Sequence, residues 1–273
     1  MILTSKNIVA FAGDGDLKQL RRLLKHHHDQ VVVRKSLKAA ARNGHNECLQ
    51  LLMEVSDQGG IDRALCEAAK YGKQDAVHIL LNKAQPLYDN SRALNNAAGG
   101  GHISCVNCLV DHYSNHPKSI AGALVYASQH NQEAVVDLLL KHVQSDLGVA
   151  ASVAASNGHI SILRKLLVHC APTENLSRGL VGAVVSHHRD CAKLLIGACD
   201  ANYFRSRALA VAFDNNDWEL FDLLAPHSDL GQAQTWIRKE QQELWEKACA
   251  RRQHVVLSAC VGSSHKSGLG RKI

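Results

Sequence analysis

His102, Cys105, Cys108 and His112 place four nitrogen and sulfur donors in His-x2-Cys-x2-Cys-x3-His spacing. Imidazole and thiolate are the common zinc ligands, and structural zinc sites often draw them from closely spaced pairs. A second cluster, His187, His188, Asp190 and Cys191, holds the ingredients of a thiol nucleophile with a base beside it. His26, His27 and His28 form a third cluster just beyond an apolar run. Imidazoles there suit the negative pole of a helix end, and a metal is the alternative. Each cluster therefore has a structural competitor, and the elements around it decide between the two.

Those elements repeat. ARNGHNECLQLLM (41–53) returns as AAGGGHISCVNCLV (97–110) and again as ASNGHISILRKLLV (155–168). With Gly44 as anchor, small residues stand three and four before it and apolar residues four, five and eight after it. The same template fits Gly15, Gly72, Gly101, Asn131, Gly158, His187 and Asn216. The steps between successive anchors are 29, 28, 29, 30, 27, 29 and 29 residues, a fixed period that marks a repeat array. Upstream of each anchor, apolar or small residues at minus seven, four and three make one face of a short helix. Downstream, paired apolar positions four apart make a second amphipathic helix. The anchor must leave helical φ to reverse the chain. Glycine is the usual left-handed terminator, and Asn and His are types that tolerate positive φ. A helix pair this short is marginal alone and needs stacked neighbours.

In that register the clusters lose their chemistry. His102 is the residue after an anchor, matched by His45 and His159. Cys105 fills the apolar position also held by Cys48, Val135, Ile162 and Cys191. Four successive ligands on one helix cannot all converge on a single metal. His187 is a turn residue, and a thiol buried at Cys191 is inert. Gly99-Gly100-Gly101 lacks the Lys-Ser/Thr of a phosphate loop. No catalytic residue, cofactor or metal is expected, and the chain is read as a non-enzyme.

Composition agrees with thin, closely packed helices. Aromatic residues are 4% of the 273-residue chain, so the core must come from Ala, Leu, Val and Cys. Nine cysteines, mostly in apolar helical patterns, suit reduced thiols and a cytoplasmic setting, or a host's cytosol if the protein is exported. No run approaches the ~18 apolar residues of a membrane span. Residues 238–273 hold eight Lys or Arg and three Glu and carry +5 of the net +6, so the body is near neutral and the tail basic.

The A-A-x-x-G-H pattern followed by paired aliphatics resembles the ankyrin repeat family. It is carried by Ala40, Ala41, Gly44, His45 and Leu52, and again by Ala154, Ala155, Gly158, His159, Leu166 and Leu167. The period is shorter than the usual ~33 residues. Lys35-Ser36-Leu37-Lys38 and Arg63-Ala64-Leu65-Cys66 replace the family's Thr-Pro-Leu-His opening. Reduced fingers or plain loops, as at 55–62, are therefore expected between pairs. The expectation is an all-α ankyrin-like solenoid of about eight helix-turn-helix repeats with a C-terminal capping helix. Residues 1–28 form an N-terminal capping repeat, 29–228 the array, 229–257 a helical segment and 258–273 a basic disordered tail.

The resemblance implies a protein-binding scaffold or adaptor whose recognition surface is the concave face. Carried to this chain, that surface is the pair of residues before each anchor: Arg42 and Asn43, Lys70 and Tyr71, Gln129 and His130, Ser156 and Asn157, Val185 and Ser186, Asp214 and Asn215. Gly99 and Gly100 leave a bare step in the row. The partner is a protein; no small-molecule substrate is expected, the chain reads as a monomer, and no base-reading motif points to nucleic acid. A secreted effector of a host-associated microbe using the same repeats is the alternative. In 235–252, Ile237, Leu244, Trp245 and Ala248 fall on one helical stripe, which suits either a cap on the last repeat or a separate partner-binding helix.

Overall fold

The computed structural model describes residues 2–26, 29–85, 91–143 and 147–252, and among them every regular element is helical. The chain divides into two compact units, residues 1–150 and 151–273.

In the first unit the helices come as antiparallel pairs: α1 (Ile2–Asp14) with α2 (Leu17–Leu24), α3 (Gln30–Asn43) with α4 (Asn46–Met53), and α5 (Gln58–Lys70) with α6 (Gln74–Leu81). Two more follow, α7 (Arg92–Gly99) with α8 (Ile103–Val110), and α9 (Pro117–Gln129) with α10 (Glu133–Leu139). First helices stack in sequence, α1 on α3, α3 on α5, α5 on α7 and α7 on α9. Second helices do the same from α2 to α10. This is the nearest-neighbour packing of a helix-pair solenoid.

The second unit repeats the scheme with α11 (Gly148–Ser156), within which the division between units falls, and α12 (Ile160–Leu167). α13 (Glu174–Val185) pairs with α14 (Arg189–Ile196), and α15 (Tyr203–Asp214) with α16 (Trp218–Leu224). α17 (Leu230–Gln234) and α18 (242–252) close the described chain.

All eight anchors are left-handed: φ is 78, 80, 66, 73 and 77° at Gly15, Gly44, Gly72, Gly101 and Gly158, and 57, 61 and 55° at Asn131, His187 and Asn216. At every one the next residue's amide donates to the carbonyl five positions back, from Asp16 N–H to Phe11 O (2.9 Å) through Asp217 N–H to Ala212 O (2.9 Å). That is the long bond of the Schellman motif, and it satisfies a carbonyl the helix end leaves open.

The core follows the register. Leu52, Leu80, Leu109, Leu139, Leu166 and Leu195 are all 0% exposed, each burial contributing about 1.5–3 kcal/mol. Alanines before the anchors, Ala40 and Ala41, Ala68 and Ala69, Ala97 and Ala98, are also fully buried, which lets successive first helices approach closely.

Connections carry no strand among the described residues. Side chains from the first turns of α3, α5, α13 and α15 hold the loops instead. Gln30 Nε2 donates to Val55 O (2.9 Å), Gln58 Nε2 to Lys83 O (2.9 Å), and Gln85 N–H to Asp62 Oδ1 (2.7 Å). Ser177 and Ser206 accept from Asp200 and Asp229 N–H in the second unit. Loop amides and carbonyls that a β-finger would pair are thus paired locally.

Around α17 and α18 the structure differs from a single apolar stripe. The chain turns at 235–238, so Ile237 precedes α18 and is buried from the turn. Trp245 is 2% exposed, with its ring edge-on to Phe213 (5.1 Å) and Phe221 (5.6 Å). Leu244, its neighbour, is 47% exposed. The tail at 258–273 and His27 and His28 lie outside the described residues.

Candidate partner-binding surface

The residue after each anchor is the N-cap of the second helix, and at seven of the eight anchors it does one of two jobs. Asp16 and Asp217 cap their own helices, accepting from Gln19 N–H (3.0 Å) and Leu220 N–H (3.2 Å). His45, Lys73, His102, Gln132 and His188 have no side-chain cap and instead lie over the anchor of the preceding repeat. A Cβ at Gly72 would stand 2.6 Å from His102 Nδ1, and one at Gly158 2.6 Å from His188 Nδ1. His102 Nε2 is 3.0 Å from Lys70 O, and Gln132 Nε2 donates to Gly99 O (3.3 Å), each reaching the carbonyl two before the preceding anchor. Glycine there serves twice, by its φ and by the close approach.

These contacts fix what the clusters can do. His102 is committed to Gly72 and Lys70, Cys105 is buried in the core, and Cys108 is half-buried. Among the described residues no three His, Cys, Asp or Glu are placed to hold a metal ion. Burial pushes the Cys105 thiol up to about 11, with Cys108 adding to the shift. Burial also raises the Cys191 thiol, helped by Asp190, which opposes the thiolate a nucleophile needs.

The paired positions before the anchors are mostly open to solvent. In the first unit Arg42, Asn43, Lys70, Gln129 and His130 are exposed and Tyr71 is half-buried. Arg42 Cζ lies 4.6 Å from the Tyr71 ring centroid and Lys70 Nζ 5.7 Å, so both cations converge on one aromatic. Asn43 differs from a free surface residue: its Nδ2 donates to Gly13 O (2.6 Å), tying α3 to α1. Gly99 and Gly100 are not bare either. His130 Cδ2 would lie 3.1 Å from a Cβ at Gly99, and the His102 ring occupies the space beside Gly100.

In the second unit Asn157, Val185, Ser186 and Asp214 are exposed, while Ser156 and Asn215 are half-buried. Ser156 Oγ and Asn157 Nδ2 bond back to Ser152 O (2.9 Å) and Val153 O (2.8 Å) on their own helix. Asn215 Nδ2 donates across to Val184 O (3.2 Å), the counterpart of Asn43. The second unit also bears an open groove of Trp218, Phe221, Leu244 and Ala248, rimmed by Lys247 and Arg251.

Residues 65–151 match the family model for ankyrin repeats, 3 copies. This stretch carries ankyrin repeats. A curated relative, the probable E3 ubiquitin-protein ligase XBOS32 of Oryza sativa subsp. japonica, is 30% identical over 186 residues. The match covers 60% of this chain and 38% of that protein, so the chain spans well under half the length of the relative it matches. Ankyrin repeats carry a protein–protein interaction role, and the exposed turn residues of these repeats are where the scaffold presents side chains it does not bury. No helix among the described residues is long and apolar enough to cross a membrane.

Sequence spacing located the turn row, Asn43 and Asn215 included, but did not show that these two bridge helices or that His102 and Gln132 reach back to the preceding repeat. Their signal was present as side chains of fixed register about 30 residues from the carbonyl they reach.

Proposed function

We propose that the ankyrin repeats form a non-catalytic adaptor that binds a protein partner through the turn row of the first unit. The carrying observation is the Arg42–Tyr71–Lys70 cluster, two exposed cations gathered on a half-buried ring. Tyr and Arg are the side chains that most often dominate interface energetics. His130, over Gly99, extends the row by two repeats. Asn43 and Asn215 are assigned to holding the repeats together rather than to the partner. The non-catalytic reading is supported by the buried Cys105 and Cys191 and by the commitment of His102 and His188 to neighbouring anchors. Ligase activity is named for the rice relative, and this chain aligns with 38% of it.

The test is a variant with Arg42, Lys70, Tyr71 and His130 changed to Ala, used as bait beside the wild-type chain with mass spectrometry. Loss of one partner with an unchanged helical spectrum and melt supports the reading. Retained binding by this variant, with loss on removal of Thr235–Ile273, contradicts it.

A further inference from the structure

The register that aligns the anchors also aligns the residues nine before them. Those are Lys6, Lys35, Arg63 and Arg92 in the first unit, followed by Gly122. All four cations are exposed. They stand on α1, α3, α5 and α7, which pack successively against one another. Nine before and two before an anchor differ by seven residues, two helical turns, so both positions lie on one face of the helix. Arg42 and Lys70 therefore continue the same stripes that begin with Lys35 and Arg63. At the intervening positions, five and six before the anchor, α3 adds Lys38 and α5 adds Glu67, the one acidic side chain along these stripes. Glu67 is already neutralised by Lys38 Nζ at 2.9 Å. The chain's near-neutral body thus conceals a concentrated positive face on the first helices of this unit.

On the first helices of the second unit the same position holds Val149, Arg178 and Arg207. Arg178 lies 3.5 Å from Glu174 and hydrogen-bonds Tyr203, and Arg207 stacks at 4.6 Å over Trp236.

We infer that the first-helix face of residues 1–150 binds an extended acidic peptide segment, with its carboxylates meeting the ladder Lys6–Lys35–Arg63–Arg92. The inference rests on the adaptor reading above and names the chemistry of its partner. Packed helices lie about 8–10 Å apart. A chain extended as polyproline II advances about 3.1 Å per residue with three residues per turn, so every third side chain faces the same way and meets the next rung. Four rungs span roughly 30 Å, about ten residues. Charge complementarity supplies steering and register. A single-stranded nucleic acid fits less well. Such strands are held by aromatic platforms as well as cations, and the ring of Tyr71 is already covered by Arg42 and Lys70.

The test uses fluorescence anisotropy with the full chain and three labelled probes. One is a roughly ten-residue peptide with Glu at every third position. The second has the same composition with its Glu residues contiguous, and the third is a single-stranded oligonucleotide of similar length. The ladder variant is Lys6→Glu, Lys35→Glu and Arg63→Glu. A control with the same charge change, Lys18→Glu, Arg21→Glu and Arg22→Glu, reverses exposed residues of α2. The spaced peptide is expected to bind more tightly than the contiguous one, to lose at least tenfold in affinity with the ladder variant, and to change less than twofold with the control. Equal losses in both variants, no saturable peptide binding at low salt, or tighter binding of the oligonucleotide would overturn the inference. If a protein partner is lost by the Arg42, Lys70, Tyr71 and His130 variant yet kept by the ladder variant, the adaptor reading stands and the acidic-peptide inference alone falls.

Discussion

Replacing Gly72 by Ala tests the anchor and the interhelical stack together. Gly72 has φ of 66°, where an L side chain costs about 1–2 kcal/mol. The added Cβ would stand 2.6 Å from His102 Nδ1, so the ring must move away. Moving it gives up the contact with Lys70 O, a hydrogen bond of net worth about 1 kcal/mol. The expected loss is about 2–3 kcal/mol, read as a lower urea midpoint by circular dichroism. His102→Ala in the same chain removes the ring, and Gly72→Ala should then cost only the backbone share. The cycle should report a coupling of about 1 kcal/mol, within the range for residues in contact. His187→Gly is the reciprocal change, since φ there is 61° on a non-glycine residue; relief of that strain should raise the midpoint. A cost below about 0.5 kcal/mol for Gly72→Ala, the size of an ordinary surface change, would refute the reasoning. So would an identical cost with and without His102.

Leu139→Ala should cost about 2–5 kcal/mol in the same assay, because the side chain is 0% exposed and its removal leaves a cavity. Trp245→Ala should cost about 3–5 kcal/mol and remove the near-ultraviolet signal of the Phe213–Phe221–Trp245 cluster. The Cys105 thiol, raised from 9.0 to about 11, keeps its proton longer in the native state than in the unfolded chain. Its stabilising share is complete below pH 9.0 and lost as pH rises toward about 11; Cys105→Val should flatten the fall of the urea midpoint over that range. Elemental analysis after gentle purification should find no stoichiometric zinc, and chelator should leave the melt unchanged. One zinc per chain, released with unfolding by Cys105→Ala, would contradict the structural assignment of His102 and Cys105.

The helix pairs were legible because each repeat carries its own punctuation. A glycine, asparagine or histidine marks the left-handed turn, and aliphatic spacing marks the buried face. Asn131, His187 and Asn216 could be placed despite lacking the glycine because they are residue types that accept positive φ. What joins one pair to the next was harder to read. His102 and Lys70 are 32 residues apart, and nothing local to either shows that the imidazole reaches the earlier carbonyl. Ile237 fits a helical stripe on spacing, but the chain turns before α18 and buries it from a different element. In the turn row, sequence supplied the positions and the structure separated their contacts. Asn43 crosses to α1, whereas Arg42 and Lys70 gather on Tyr71. The cationic ladder nine before each of the first four anchors was present in the register, although the summed charge of the body hid it.

Amide hydrogen exchange on the full chain, with and without the protein partner captured by the wild-type bait, tests the central claim most directly. The account predicts new protection in the first unit, centred on residues 42–43, 70–71 and 129–130 and on the exposed face of α3 and α5, with α2, α4 and α6 unchanged. Protection confined to the Trp218–Leu244 groove and α18, with none at those turns, would contradict it.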